Sequence, residues 1–336
     1  MSVVKLENVS KVFRRGFLFS KTLIHAVSNV SLDIHEGEIL ALVGESGCGK
    51  TTLGKIVAGL IKPTSGRVLW MGKDIWSISK KEFKKLRPLV QIVHQDPYSS
   101  FNPVKTIYDT LATPIKYYGL AKDPKKVRKL VKELLSMAGI EPPDYFMNKY
   151  PHHLSGGMRQ RLSIIRASIP KPKLIVADEP VSMIDVSLRL SVLDLMKRLN
   201  RELNTAFLYI THDIATARYF VHDGRMMIMY LGEIVELGSA QELIENPLHP
   251  YLRLLLTSLP IPNPKIARMK KRFSLRSLEP PSPISPPSGC KFHIRCPYAK
   301  RICEEKAPKL RPFNGHMVAC HLVEELPEWK APWIQV

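Results

Sequence analysis

Residues 39–51 read ILALVGESGCGKT, and this stretch decides the fold. The first five residues, Ile39 to Val43, are apolar without interruption, which is typical of a strand covered on both faces. The next eight, Gly44 to Thr51, fit the pattern G-x-x-x-x-G-K-[ST], and an apolar helical stretch follows them. Strand, glycine loop and helix in this order predict a phosphate-binding loop, against the alternative of a glycine turn that merely ends a strand.

The loop carries the residue types that phosphate binding needs. Its glycines let successive backbone N–H groups converge on phosphate oxygens, and the N-terminus of the following helix adds positive potential. Lys50 supplies a mobile charge for the β and γ phosphates, and the Thr51 hydroxyl is predicted to bind Mg²⁺. Cys48 is interpreted as a small residue without a catalytic role. The predicted nucleotide contacts are Gly44, Glu45, Ser46, Gly47, Cys48, Gly49, Lys50, Thr51 and Thr52.

A second element supplies carboxylates. Residues 173–180 read KLIVADEP, an aliphatic strand that ends in Asp178 and Glu179. Asp178 is placed to hold Mg²⁺, and Glu179 is placed to polarise an attacking water. An acidic turn after a strand is the simpler interpretation of this stretch alone, but the phosphate loop in the same chain favours the catalytic one.

The composition describes a folded domain with a basic surface. Of 336 residues, 45% are hydrophobic and 24% charged, which excludes a disordered chain. Fifty Lys and Arg against thirty Asp and Glu give a net charge of +20, and nucleic acid, a nucleotide or an anionic membrane would each suit that sign. No apolar run reaches the roughly eighteen residues that a membrane helix needs, and the N-terminus lacks a signal-peptide core, so we expect a cytoplasmic protein.

The chain divides by composition. Residues 1 to about 260 alternate short aliphatic runs with longer periodic segments, which predicts an α/β domain with a largely parallel sheet and a surface helix over Asp123–Gly139. Residues 260–289, rich in Pro, Ser and basic residues, predict a linker. The tail, 290–336, has too few apolar residues to bury a core unaided, so it needs a staple, a metal or docking to the main domain.

Residues 154–161 read LSGGMRQR, and this stretch resembles the signature of a known family. With the phosphate loop and the Asp178 strand, they make residues 1 to about 260 similar to the ATP-binding subunits of ABC transporters. The resemblance implies a P-loop NTPase cassette with a RecA-like core, an antiparallel β subdomain and a helical signature subdomain. It also implies that Ser155, Gly156 and Gly157 contact ATP bound to a partner subunit, which requires a dimer.

Other family landmarks occur in order. Gln95 matches the Q-loop glutamine, which joins Thr51 and Asp178 around Mg²⁺, and Asp185 matches the D-loop aspartate that acts in trans. Met183 and Ile184 depart from the usual D-loop wording, so we expect altered packing there with function kept. His212 matches the switch histidine that contacts the γ-phosphate and, with Glu179, completes the predicted catalytic pair. Phe13 is the predicted adenine-stacking residue, with Phe17 and Phe19 as competitors.

Two further stretches narrow the resemblance to the oligopeptide and dipeptide importers: QDPYSSFNP at 95–103 and NPLHPY at 246–251. The residues at Gly44–Lys50 and Asp178–Val181 are similar to those of the second of the two ATPase subunits that these importers use. The resemblance therefore implies a paralogous heterodimer beneath two membrane permease subunits, served by an extracytoplasmic substrate-binding protein. The location implied is the cytoplasmic face of the membrane, with no nucleic acid partner. The cargo stays open among peptides, oligosaccharides and nickel.

The tail holds Cys290, Cys296, Cys303 and Cys320, separated by five, six and sixteen residues. Disulfides are not expected in the cytosol. Four thiolates suit a [4Fe–4S] cluster, which some members of the resembled subfamily carry here. The alternatives are Zn²⁺, with His293, His316 or His321 as substitute ligands, and four reduced thiols.

The predicted function is ATP hydrolysis that powers import. An ABC protein acting on nucleic acid or in translation is the alternative that the charge would suit, but such proteins usually carry two cassettes or a coiled-coil insertion. A purely regulatory nucleotide-binding module should lack Glu179. We therefore expect the lysines between Lys80 and Lys132, and Lys270–Arg272, to face an anionic membrane or the membrane partner.

Overall fold

The computed structural model describes residues 1–15, 22–260 and 273–329. Phe17, Phe19 and Lys270–Arg272 lie outside the described residues. The strands are β1 (Ser2–Arg15), β2 (Thr22–His35), β3 (Ile39–Val43), β4 (Ser65–Trp70), β5 (Lys73–Asp74), β6 (Val90–Val93), β7 (Leu174–Asp178), β8 (Ala206–Thr211), β9 (Arg225–Tyr230), β10 (Glu233–Ser239), β11 (Arg311–Phe313) and β12 (His316–Val318).

The helices are α1 (Lys50–Val57), α2 (Lys80–Leu86), α3 (Ile107–Tyr117), α4 (Pro124–Met137), α5 (Pro143–Met147), α6 (Gly156–Ser168), α7 (Val186–Leu203), α8 (Ile214–Val221), α9 (Ala240–Glu245), α10 (Pro250–Thr257) and α11 (Arg301–Glu305), with 3-10 turns at Arg87–Leu89 and Pro151–His153. The chain forms two compact units. Unit 1 comprises Met1–Val4, Asp33–Ile39 and Leu69–Ile210, and unit 2 comprises the described residues of Lys5–Leu32, Leu40–Val68 and Thr211–Val336.

Unit 1 is built on parallel strands in the order β8-β7-β6, with Val176 of β7 paired to Leu208 of β8 and to Ile92 of β6. Every residue of β7 and β8 is buried, as the aliphatic runs predict for strands covered on both faces. The parallel sheet predicted from the alternating pattern is therefore confirmed for this unit.

A group of helices completes unit 1, with α3 in contact with α4, α5 and α6. Helix α4 matches the surface helix predicted over 123–139, and it buries Val127, Val131 and Leu135 along one stripe. Its start is fixed because the Asp123 side chain accepts the backbone N–H of Lys125 at 3.0 Å.

Unit 2 contains parallel strands β3 and β9, with Ala41 opposite Met226. The antiparallel strands β10, β12 and β11 continue this sheet in that order. Strands β11 and β12 belong to the cysteine-bearing tail, and Val318 pairs with Glu236 of β10. Docking to the main domain is thus how the tail compensates for its small apolar content.

Strands β2, β1 and β4 form a second sheet in that order. In unit 2, Asn8 N–H donates to the Ser31 hydroxyl at 3.0 Å and Asn29 N–H to the Ser10 hydroxyl at 2.9 Å. Residue 8 of β1 thus lies beside residue 31 of β2, and residue 10 of β1 beside residue 29 of β2. Because the residue number rises along β1 while it falls along β2, the two strands run antiparallel. In unit 1, β4 pairs antiparallel with β5. Among residues 1–15, 22–260 and 273–329, no helix is long and apolar enough to cross a bilayer.

Candidate nucleotide-binding site

The phosphate loop of unit 2 connects β3 directly to α1. Gly49 precedes the helix with φ 108°, a left-handed conformation that favours glycine, and a Cβ there would collide with the Ala26 carbonyl oxygen. Gly44 lies equally close to the backbone of Met229, so a Cβ on it would collide with the Met229 carbonyl oxygen. These two glycines are therefore required by close backbone approach, which is what a loop that wraps an anion needs.

Lys50 begins α1, and its side chain is buried within the loop. Its ammonium group donates to the carbonyl oxygens of Gly44 at 2.7 Å and Glu45 at 2.9 Å. The first turn of α1 contains no acidic residue and Gly49 offers no side-chain cap, so the positive potential of this helix N-terminus is not offset locally. Thr51 is exposed in the same turn. The loop can thus receive phosphate oxygens.

Cys48 lies within the loop and is buried. Its sulfur is 4.0 Å from the Lys50 ammonium, but burial dominates and raises the pKa of the thiol. Cys48 therefore stays protonated near neutral pH and does not act as a thiolate nucleophile.

Unit 1 carries the predicted catalytic carboxylates at the end of β7. Asp178 is buried as the last residue of the strand. Glu179 follows with φ 46°, and its backbone N–H donates to the Ile210 carbonyl oxygen at 2.9 Å, which ties this left-handed residue to β8. The Gln95 amide nitrogen donates to Glu179 Oε2 at 3.1 Å and lies 3.4 Å from the Ser182 hydroxyl. Gln95 and Glu179, 84 residues apart, thus lie together.

The signature residues begin α6. The Ser155 hydroxyl caps this helix by accepting the Met158 N–H at 3.3 Å, and Gly156 and Gly157 form its first turn. A Cβ on Gly157 would contact Leu188 at 3.4 Å and Ile184 at 3.7 Å. Ile184, a departure from the usual D-loop wording, is buried against the signature turn, whereas Met183 and Asp185 are exposed.

Two further predicted contacts lie in unit 2. His212 is exposed in the turn after β8, and this turn is fixed because Asp213 N–H donates to the Thr211 hydroxyl at 3.1 Å while Asp213 caps α8. Phe13 lies on β1 with an exposed ring, and the Lys11 ammonium is 5.2 Å from the ring centroid.

All four tail cysteines line one cavity of about 10 Å³, together with His249, His293 and His321. Such a cavity has room for about one water molecule. Burial raises the pKa of Cys290 to about 12 and that of Cys320 to about 11. His316 lies elsewhere and contacts Glu236. Within the described part of the chain, no three or more His, Cys, Asp and Glu residues are arranged to hold a metal ion. The predicted cluster and its zinc alternative therefore gain support only from the shared cavity.

Two residues whose contacts the sequence does not predict also shape the phosphate loop. The Tyr251 hydroxyl accepts the Glu45 N–H at 2.8 Å, and the Arg295 guanidinium binds the Glu45 carboxylate. These residues are 206 and 250 positions apart from Glu45, so no local pattern connects them. Tyr251 does end the NPLHPY stretch. Its partner His249 has a pKa that burial lowers to about 3, so the neutral imidazole keeps accepting the Tyr251 N–H at 3.1 Å.

Two family patterns match the chain. Residues 27–182 match the ABC transporter family, and residues 235–303 match the C-terminal region of oligopeptide/dipeptide transporters. The chain is 43% identical over 306 residues to the oligopeptide transport ATP-binding protein OppF of Salmonella typhimurium, covering 91% of this chain and 90% of that protein. It is 42% identical over 326 residues to AppF of Bacillus subtilis, an oligopeptide transport ATP-binding protein, covering 96% and 97% respectively.

A solved structure gives the same fold. The dimeric post-hydrolysis state of the ATP-binding cassette MJ0796, bound to ADP and Pi, superposes with a TM-score of 0.62 at 33% identity. The match covers 70% of this chain and 98% of that one. The predicted P-loop cassette fold is therefore confirmed.

Proposed function

The chain belongs to the ATP-binding subunits of ABC transporters, and on that premise we propose that it hydrolyses ATP to power uptake of oligopeptides and dipeptides through membrane-embedded partner subunits. Peptides are favoured over oligosaccharides and nickel by the match at 235–303 and by relatives named for oligopeptide and di/tripeptide transport. An ABC protein that acts on nucleic acid or in translation is not favoured by these relatives.

The observation that carries hydrolysis is the Gln95–Glu179 contact at the end of β7. Glu179 is held by Gln95 and by its backbone bond to Ile210, so its carboxylate has a defined position from which to accept a proton from an attacking water. The role of His212 is to hold the γ-phosphate during attack. Lys50 and the N-terminus of α1 bind the phosphates and offset their charge.

The oxygen donors expected around a magnesium ion are the Thr51 hydroxyl, the Asp178 carboxylate and the Gln95 amide oxygen. Gln95 directs its amide nitrogen to Glu179, which leaves the amide oxygen for a cation, and hard oxygen ligands are those that Mg²⁺ takes. Bound Mg²⁺ would neutralise charge that develops on the phosphates. Ser155, Gly156, Gly157 and Asp185 are assigned to ATP bound by a partner subunit, and Phe13 to the adenine.

We propose a dimer with a paralogous ATPase subunit at the cytoplasmic face of the membrane. Support comes from the dimeric MJ0796 cassette and from the relatives named as transport ATP-binding proteins. Two permease subunits and an extracytoplasmic substrate-binding protein complete the importer. Within the chain, we assign 1–259 to the ATPase domain, 260–289 to the linker and 290–336 to the extension.

The [4Fe–4S] cluster is kept as a proposal for Cys290, Cys296, Cys303 and Cys320, because four thiols around one cavity are the donor set such a cluster takes. The support for the cluster comes from the type of the donor atoms, and not from the volume of the cavity, which is about 10 Å³. Iron and acid-labile sulfide analysis of anaerobically purified protein tests it: about four of each per chain is expected, and zinc alone or no metal would contradict it.

The substitution Glu179→Gln tests the proposed function. It keeps the shape of the side chain and removes the proton acceptor, so ATP should still bind while steady-state hydrolysis falls by about a hundredfold or more. The assay is phosphate release by the complex with its permease subunits, with Glu133→Gln on the exposed face of α4 as the matched control. Normal turnover by Glu179→Gln would refute the role of Glu179.

A further inference from the structure

One residue of the cysteine-bearing extension reaches the phosphate loop. Arg295 Nη1 lies 2.8 Å from Glu45 Oε2 and 3.2 Å from Oε1, and Nη2 lies 3.1 Å from Oε1. This is a two-pronged contact between a planar guanidinium and a carboxylate. The Arg295 side chain is only 6% exposed and that of Glu45 is 32% exposed, so the pair is shielded more than a surface ion pair.

Arg295 is held in place by its own turn. The N–H groups of Arg295 and Cys296 both donate to the Phe292 carbonyl oxygen, at 3.0 and 2.9 Å, and Cys290 N–H donates to the Cys303 carbonyl oxygen at 2.8 Å. The guanidinium carbon lies 5.9 Å from the ring centroid of Phe292 and 6.0 Å from that of Tyr230. The guanidinium is therefore positioned before it meets Glu45, and forming the pair costs little side-chain entropy.

Phe292 anchors this turn to the rest of unit 2. Its ring is buried, 5.2 Å from the ring of Tyr230 and 5.5 Å from that of Tyr251. Nearby, the Lys291 ammonium donates to the Leu231 carbonyl oxygen at 2.8 Å and pairs with Glu233 at 3.0 Å. The turn that carries Arg295 is thus fixed on both sides of Phe292.

Glu45 itself is held at three points. Its carboxylate binds Arg295, its N–H donates to the Tyr251 hydroxyl at 2.8 Å, and its carbonyl oxygen accepts from Lys50 at 2.9 Å. Glu45 immediately follows Gly44, the first glycine of the loop. An unpaired carboxylate at this position would repel the phosphates that Lys50 attracts. Arg295 neutralises that charge and fixes the conformation of the loop.

We propose that Arg295 is a positioning residue for the ATP site, through which the cysteine-bearing extension sets the affinity of the phosphate loop for ATP. Arg295 acts through Glu45 and does not itself contact the phosphates. The inference rests on the proposed function, because it concerns the same nucleotide site. It gives the extension a role in nucleotide binding that is separate from any metal it carries.

The test compares ATP binding by the wild type, Arg295→Met, Arg295→Lys, Glu45→Gln and the double variant Arg295→Met/Glu45→Gln. Arg301→Met is the matched control, since Arg301 lies in the same extension in an exposed pair with Glu305. A fluorescent ATP analogue gives the dissociation constant, and phosphate release gives KM and kcat separately. The thermal unfolding midpoint of each variant shows whether it folds.

We expect Arg295→Met to weaken ATP binding about tenfold, because it removes a charge-assisted pair that fixes the loop. The variant should raise KM more than it lowers kcat, since the lost contact acts on nucleotide binding. Arg295→Lys should recover part of the affinity. In the Glu45→Gln background, the Arg295→Met effect should fall below about threefold, because no carboxylate remains to neutralise. Should Arg295→Met fail to fold, Arg295→Lys against Glu45→Gln supplies the same comparison.

The inference is overturned if Arg295→Met binds ATP as Arg301→Met does, or if the Arg295 and Glu45 effects simply multiply. Those results leave the proposed function intact. A wild-type protein that binds no ATP would instead refute the proposed function, and the inference with it.

Discussion

Replacement of Glu236 should destabilise several elements of unit 2 at once. Its carboxylate is fully buried on β10 and accepts three hydrogen bonds: Leu248 N–H at 3.0 Å and His316 Nδ1 at 2.9 Å on Oε1, and His249 N–H at 2.7 Å on Oε2. It therefore joins the start of α10, which carries Tyr251, to β12 of the extension. The test is Glu236→Gln, which changes one oxygen to an amide nitrogen and hardly alters the volume.

The size of the effect follows from these contacts. Whichever way the new amide turns, its nitrogen faces at least one N–H group that previously had an acceptor, so two donors meet in a fully buried site. One hydrogen bond to a charged group contributes about 1.5 to 3 kcal/mol, and the unsatisfied donor adds a penalty of similar size. The remaining bonds also lose the charge of their acceptor. We expect Glu236→Gln to lower the free energy of unfolding by about 3 kcal/mol.

Urea unfolding followed by tryptophan fluorescence measures this loss. Glu242→Gln is the control, because Glu242 is more than half exposed and lies 3.9 Å from the other ring nitrogen of the same His316. It should shift stability by less than about 0.5 kcal/mol. If Glu236→Gln and Glu242→Gln unfold at the same urea concentration, the three hydrogen bonds to Glu236 do not contribute the expected stability to unit 2.

Two further substitutions test the loop and the extension. Gly49→Ala should abolish detectable ATP binding, because a Cβ would meet the Ala26 carbonyl oxygen and φ 108° is strained for alanine; wild-type affinity, measured with a fluorescent nucleotide, would contradict the assigned loop geometry. Phe292→Ala should cost about 3 to 5 kcal/mol in the free energy of unfolding, since its buried ring packs against Tyr230 and Tyr251, and a urea midpoint equal to that of the wild type would contradict this anchoring role.

The sequence predicts what depends on local order and fails where contacts are distant. Ile39–Val43 was predictable as a strand because every residue is apolar, and the glycine pattern after it fixed the loop. Helix α4 was predictable because its apolar residues recur at helical spacing behind an Asp cap. The order of strands in each unit could not be predicted, since pairing depends on residues far apart. Strands β11 and β12 are too short to produce a periodic signal, so the tail's docking on β10 appears only in the structure.

The cysteine-bearing extension is an integral part of unit 2. Composition marks it as too poor in apolar residues to bury a core unaided, and the structure shows it docked on the main domain. Its strands continue the sheet of unit 2, and its Lys291 binds backbone and side-chain groups of the main domain. Arg295 then neutralises a carboxylate in the phosphate loop. Glu45 and Arg295 are 250 positions apart, so the phosphate loop depends on a contact that only the folded unit 2 brings together. The nucleotide site of unit 2 is therefore a product of both ends of the sequence.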